Sequence, residues 1–287
     1  MAQLQAAQRE IAVQQMAMAG EFMRVRKHLE KAGVLAVPFK GFWLAHTAYG
    51  HISLRECVDI DLYVQKSDYP VVSGVMRALG YEPPEEQQGL SEKELLQQYG
   101  NYSFDRMEEG RRLFHFEFHW TLSSFRNDID IDFRLPDLEE QLQFQPFNGQ
   151  EIQVLSPSAI VLLAILHHGA KEYWRKLKQV QDIIQFIQVL GPQLDWNWIM
   201  KQAGQIGAEP VILTGLGLAQ LLCDAQVPHH LKDRVDQPKI KKMTAYAAHY
   251  LAFAEAKVEK GYFLKRLLHR LGSRQRLRDK WKFLKPF

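Results

Sequence analysis

The chain has 287 residues, 46% hydrophobic, 24% charged and 11% aromatic, with a formal net charge of +3, a composition that excludes disordered, collagen-like and disulfide-scaffold classes. At roughly 100 to 200 residues per domain, the length favours two domains or one large one. Cys57 and Cys223 form no CxxC pair, and the longest apolar run, Ala159 to Leu166, is too short to span a bilayer, so the expectation is a reduced cytoplasmic protein without a zinc finger, signal peptide or transmembrane segment.

Residues 3 to 32 are rich in helix formers and stop at Gly33, which predicts an opening helix. Leu35 to Phe39 reads as a short strand, Lys40 and Gly41 as a turn, and Phe42 to Gly50 as a helix. After a loop at His51 to Arg55, the run Cys57 to Val64 alternates as a strand. Val58, Ile60, Leu62 and Val64 take one face, and Asp59 and Asp61 the other. Ser67 to Leu79 reads as a helix closed by Gly80, followed by a polar loop or short surface helix in EPPEEQQGLSEKELL. The clearest strand is Leu113 to Trp120, where Phe114, Phe116, Phe118 and Trp120 recur at period two, so His115, Glu117 and His119 face the other way.

Beyond Pro136 the strand signals fade, and from Ser156 three helical segments follow, SPSAIVLLAILHHG, KEYWRKLKQVQDIIQFIQVLG and DWNWIMKQAGQIG. A linker is expected at Phe147 to Leu155, dividing a domain at 1–150 from a helical domain at 151–287 that walls a cleft. From His229 to Phe287 there are 16 Lys or Arg against 5 Asp or Glu, leaving 20 basic and 28 acidic residues upstream. Such a tail is either a surface for nucleic acid, anionic lipid or a phosphorylated ligand, or the solvated face of amphipathic helices on which Phe263, Leu267, Leu268 and Leu271 are the apolar stripe.

Two carboxylates at i and i+2 on a strand project from one face, which suits magnesium, an ion that takes one or two protein carboxylates and completes its shell with phosphate and water. Glu117 is the candidate third carboxylate for a two-ion arrangement of the kind used in phosphoryl displacement. A strand ending at Lys40-Gly41 before a helix offers close backbone approach and helix N-terminal N–H groups to phosphate, and Arg55, four residues before Asp59, adds a cation. Three rival sets compete. His115, Glu117 and His119 form a two-histidine, one-carboxylate series, but on a straight strand the outer pair lies about 13 Å apart, too far for one ion. Asp128, Asp130 and Asp132 form a second acidic alternation, read as a half-exposed strand because no glycine turn precedes it. His167, Lys171, Trp174, Lys178 and Asp182 approximate one helix face, either lining a cleft or, for Trp174, simply core.

The set VPFKGFWLAHTAYG, Arg55, DIDLYV, Leu79-Gly80-Tyr81 and FEFHW, continued by LSPSA, LHHGAKEYWRKLKQVQD and LDW at 194 to 196, resembles the uncharacterised nucleotidyltransferase family of the polymerase-β-like superfamily, over roughly Gly33 to Val227. The chain departs from the wider superfamily at Phe42, where Ser or Gly normally follows the glycine. The resemblance implies an α+β protein, with a nucleotidyltransferase domain built on a small mixed sheet and a C-terminal helical domain. It also implies transfer of a nucleoside monophosphate from a nucleoside triphosphate to a hydroxyl-type acceptor, with Mg2+ or Mn2+. Asp59 and Asp61 would be metal ligands and Glu117 the third ligand or general base. Lys40, Gly41 and Arg55 would address the triphosphate, and His119 would support the ligands or position the acceptor. The acceptor class stays open between a small molecule or biosynthetic intermediate and an RNA or protein engaged through the basic tail. A non-catalytic nucleotide-binding module is the remaining alternative.

Overall fold

The computed structural model describes residues 2–121, 133–253 and 271–284. Among these, residues up to Ser156 form one compact unit and residues from Pro157 on form a second.

In the first unit, helix α1 (Ala2–Lys31) has basic residues His28 and Lys31 in its last turn, where they complement the helix dipole. It buries Gln15, Met18, Phe22, Val25 and Leu29, a stripe at three- and four-residue spacing. Strand β1 (Val37–Pro38) leads into α2 (Gly41–Tyr49), which buries Phe42, Trp43, Leu44, Ala45 and Ala48 and ends where Gly50 takes φ +74°. Strand β2 (Ile60–Tyr63), helices α3 (Tyr69–Ala78) and α4 (Glu92–Gln98), and strands β3 (Asn101–Glu108) and β4 (Arg111–His119) follow. Ser91 caps α4 in a reciprocal box with Glu94. The sheet order is β1-β2-β4-β3, with β2 parallel to β4 and the other pairs antiparallel. The segment joining the two parallel strands includes α3, α4 and β3, the long connection that parallel pairing requires.

One face of β4 carries the aromatic core. Phe116 and Phe118 are fully buried, Tyr102 stacks on Phe118 at 5.4 Å, and Tyr81 meets Phe116 edge-on at 5.4 Å. At about 1.5–3 kcal/mol per fully buried Phe, this face anchors the strand and holds its opposite face in register.

Several expectations need correction. The strand expected over Cys57–Val64 is only Ile60–Tyr63, all of it buried between β1 and β4, while Val58 is 58% exposed and Asp59 lies in the bend before the strand. A ladder partner exists only where β1 and β4 reach, so alternation upstream of Ile60 has nothing to pair with. The proposed linker is a hairpin strand: β5 (Leu142–Phe147) pairs with β6 (Gln150–Leu155), and Ile152, Val154 and Leu155 are buried. The change of unit therefore falls at Ser156–Pro157 instead of near 150. Asp128 and Asp130, the acidic alternation, lie outside the described residues with Asp132, as do Phe263, Leu267 and Leu268 of the tail.

The second unit contains helices α5 (Pro157–Leu166), α6 (Leu177–Gln185), α7 (Trp196–Gln205) and α8 (Glu209–Cys223), then Pro238–Phe253 and Leu277–Leu284. The helix expected across KEYWRKLKQVQD is broken. After α5 the backbone makes a π-turn at His167–Lys171, and Tyr173 and Trp174 both take φ +56°, before α6 starts at Leu177. The excursion drops Trp174, 1% exposed, against Gly169 and Gly215, where an added Cβ would come within 2.8 Å of its ring. His167, Lys171, Trp174, Lys178 and Asp182 thus do not share one helix face, and Trp174 is core. No described helix is long and apolar enough to cross a membrane.

Candidate active site

Parallel pairing of β2 with β4 sets Asp61 opposite Glu117 and Tyr63 opposite His119, so the pleat gathers Asp61, Glu117 and His119 on the sheet face away from the aromatic core. Phe39, just after β1, packs edge-on to both Tyr63 and His119 at 5.0 and 5.2 Å and walls this group from within. One ligand-type atom from each of Asp61, Glu117 and His119 falls within 4.8 Å of the others, a spacing over which a divalent ion can be collected.

Lys40 precedes α2 and aims at the same point, its Nζ 2.6 Å from Asp61 Oδ1 with only a tenth of the side chain exposed. The turn closes because residue 41 is glycine. Gly41 sits at φ +56°, and an added Cβ would stand 2.9 Å from the Asp59 carbonyl oxygen and 3.8 Å from Asp61 Oδ2. Arg55 reaches the turn from the other side, its Nη1 3.4 Å from the Gly41 carbonyl oxygen. Phe42, the departure from the superfamily pattern, turns away into the core, 5.1 Å from the Phe22 ring and 5.9 Å from Phe147. Its side chain therefore contributes packing, and the Lys40-Gly41 backbone is left facing the carboxylates.

The polar face reads as an alternating row of charges. His119 Nε2 lies 3.0 Å from both Asp61 Oδ1 and Glu117 Oε2, and carboxylate oxygens only accept, so this nitrogen carries the proton. His115 continues the row, with Nε2 3.5 Å from Glu117 Oε1 and Nδ1 2.6 Å from Asp105 Oδ1. Both its ring nitrogens thus face acceptors. Although burial opposes the charged ring, hydrogen bonds to Glu117 and Asp105 raise its pKa. Burial would raise Glu117, but hydrogen bonds from His115 and His119 and the charges of His119 and Lys40 hold it far below the usual carboxylate range. Asp61 is likewise held low against burial by Lys40 and His119, and Lys40 is held high against burial by Asp61, Glu117 and Asp59. Asp59 is different: the like charge of Asp61, then burial, pushes it up to about 6. Three carboxylates, Asp59, Asp61 and Glu117, thus share Lys40 and the two imidazoles beside Glu117.

Of the residues expected from sequence, the structure thus brings together Asp61, Glu117, His119, Lys40, Gly41 and Arg55. Asp59 interacts electrostatically with Asp61 and Glu117 but lies outside the close donor group. His115 and His119 flank Glu117 on either side, as the strand spacing required. Asp105 was not anticipated, because β3 carries no clean alternation; its register opposite His115 is set by pairing. Gln15 was not anticipated either. Its Nε2 donates to the Cys57 carbonyl at 2.9 Å and its Oε1 accepts from Cys57 Sγ at 2.6 Å, tethering the approach to β2 from α1. A lone Gln in a helical stripe gives no signal of such a partner.

The family model described as uncharacterised nucleotidyltransferase matches residues 1–224. No curated protein and no solved structure matches the chain.

Proposed function

The chain belongs to the uncharacterised nucleotidyltransferase family, and from that premise we propose that it is a metal-dependent enzyme moving a nucleoside monophosphate from a nucleoside triphosphate to a hydroxyl of a small molecule or biosynthetic intermediate. The observation that carries the reading is the convergence of Asp61, Glu117 and His119 beside the Lys40-Gly41 turn. The donor set fits Mg2+, or Mn2+, because its charged donors are carboxylate oxygens. A divalent ion held there with the nucleotide would screen the triphosphate and polarise its α-phosphoryl group.

Within this reading Asp61 and Glu117 are ligands and Asp59 a further ligand once a cation relieves its repulsion from Asp61. The two oxygens of Glu117 face His115 and His119, which fix the carboxylate in place, so we assign it the ligand role over that of the acceptor's base. His119 holds the two carboxylates at fixed spacing through its shared N–H, a positioning role. Lys40 neutralises Asp61 until the triphosphate offers competing oxygens, and the Gly41 backbone with Arg55 borders the phosphate position. In the transfer, the acceptor oxygen forms a bond to the α-phosphorus as the bond to pyrophosphate breaks, and the hydroxyl proton leaves to solvent or base.

Calorimetric titration of ATP, GTP, CTP and UTP, with Mg2+ and with chelator, tests the reading on wild type and Asp59→Asn. Expected is Mg2+-dependent binding of at least one triphosphate, weakened in the variant. Binding by none of them, or binding indifferent to both chelator and substitution, would overturn it.

A further inference from the structure

A second group of ligand-type side chains lies in the other unit, at the π-turn that follows α5. His167, His168 and Glu172 each present one donor atom within 4.8 Å of the other two. The π-turn explains the convergence. The widened turn carries His167 to Lys171, Glu172 N–H closes on the His167 carbonyl at 3.0 Å, and Trp174 N–H on the His168 carbonyl at 2.9 Å, so the chain folds back over the two imidazoles. In a regular α-helix adjacent histidines point about 100° apart and only His168 and Glu172, four apart, would share a face; the i+5 bond of the π-turn brings His167 to Glu172 as well.

His168 is the informative member. It is 4% exposed, and its Nε2 lies 2.8 Å from Oδ2 of Asp182, a carboxylate with no exposure at all. That carboxylate can only accept, so Nε2 carries the proton, and the tautomer this bond selects has its lone pair on Nδ1. Nδ1 is buried and makes no hydrogen bond. A buried acceptor left unmatched is costly, and an imidazole whose far nitrogen is held by a buried carboxylate is the arrangement that orients a histidine toward a metal. Glu172 is held in turn, its Oε2 accepting from the side chain of Gln179, itself fully buried on α6.

We propose that His167, His168 and Glu172 form a binding site for a zinc-class divalent metal ion, with Asp182 as the positioning residue behind His168. Two imidazoles and one carboxylate are the donors of three-ligand zinc sites that keep a fourth position open, whereas magnesium prefers an all-oxygen shell. The site is independent of the carboxylate group in the first unit and of the activity proposed for it.

The test is titration of Zn2+ into the full chain, freed of metal by chelator and carrying no histidine tag, by calorimetry with circular dichroism as the fold control. Wild type, Glu172→Gln, Asp182→Asn and Glu117→Gln are compared. Expected is one zinc equivalent that survives Glu117→Gln and loses at least tenfold in affinity in Glu172→Gln and in Asp182→Asn. His167→Ala, at a half-buried position, is the second ligand variant and replaces Glu172→Gln if that variant loses the wild-type spectrum. Cobalt(II) bound in place of zinc should give visible absorption in wild type that the ligand variants lack. Absence of a zinc equivalent in wild type, an equivalent abolished only by Glu117→Gln, or affinity unchanged by the ligand variants would overturn the proposal.

Discussion

Replacing Asp61 by Asn should destabilise the first unit through Lys40. The Lys40 ammonium sits 2.6 Å from Asp61 Oδ1, with side-chain exposures of 10% and 2% for the pair. Removing one partner of a buried pair leaves an uncompensated charge and costs about 3–5 kcal/mol. Glu117 and Asp59 still act on the ammonium, so the lower end, about 3 kcal/mol, is expected here. With a urea m-value of about 2 kcal/mol/M, that lowers the unfolding midpoint by roughly 1.5 M. The decisive comparison is a double-mutant cycle with Lys40→Met and Lys40→Met/Asp61→Asn, which separates the pair from the interactions of Lys40 with Glu117 and Asp59. The two single costs should not add: the double variant should lose about 2 kcal/mol less than their sum, because once one partner is gone the other no longer has that interaction to lose. Urea unfolding by circular dichroism gives the midpoints, and hydrogen exchange at residues 60–63 and 111–119 reports whether the loss is in the paired strands. Single costs that simply add in the double variant, or Asp61→Asn within about 0.5 kcal/mol of wild type, would refute the claim that this pair is buried and coupled.

Gly41→Ala should cost about 1–2 kcal/mol for a non-glycine residue at φ +56°, and more because its Cβ would push the Asp59 carbonyl from 2.9 Å, so triphosphate titration should show binding lost even where the fold survives. Wild-type binding in that variant would mean the turn does not border the phosphate. Glu21, 8% exposed, accepts from Tyr81 Oη and Arg24 Nη2, each at 2.5 Å; despite burial, these bonds hold its pKa below the usual value. A carboxyl lowered on folding contributes stability that is complete above its unfolded pKa of about 4.3 and lost as pH falls through the folded value. Tyr81→Phe should therefore cost about 1.5–3 kcal/mol at pH 7, with the gap to wild type narrowing below about pH 4 in urea melts repeated across pH. A gap that widens in acid would contradict the assignment of Glu21 as the charged partner.

Much of the candidate site is visible in one dimension because its chemistry is local. Asp61 within a strand, Lys40-Gly41 between strand and helix, and the His115, Glu117, His119 alternation are set by strand period and glycine conformation, which neighbouring residues dictate, whereas Asp59 falls in the bend before the strand. The aromatic run of β4 is legible for the same reason: one face must be buried, so the other must carry the polar series. What only the tertiary structure decided is pairing. Which strand lies beside β2 determines that Asp61 faces Glu117, and Asp105 joins the row solely through β3–β4 register. The hairpin of β5 and β6 is hard to read in one dimension because Pro146 falls inside one strand and Gln150 and Glu151 open the other, so each alternating run is short. The helix expected through His167–Asp182 broke because Trp174 gains more by filling the space beside Gly169 and Gly215 than the backbone loses in two left-handed residues, a balance that depends on a glycine about forty positions away in sequence. Periodicity reports which face of an element wants burial; it carries no record of what that face will be buried against, and the proximity of charged groups follows from the second of these.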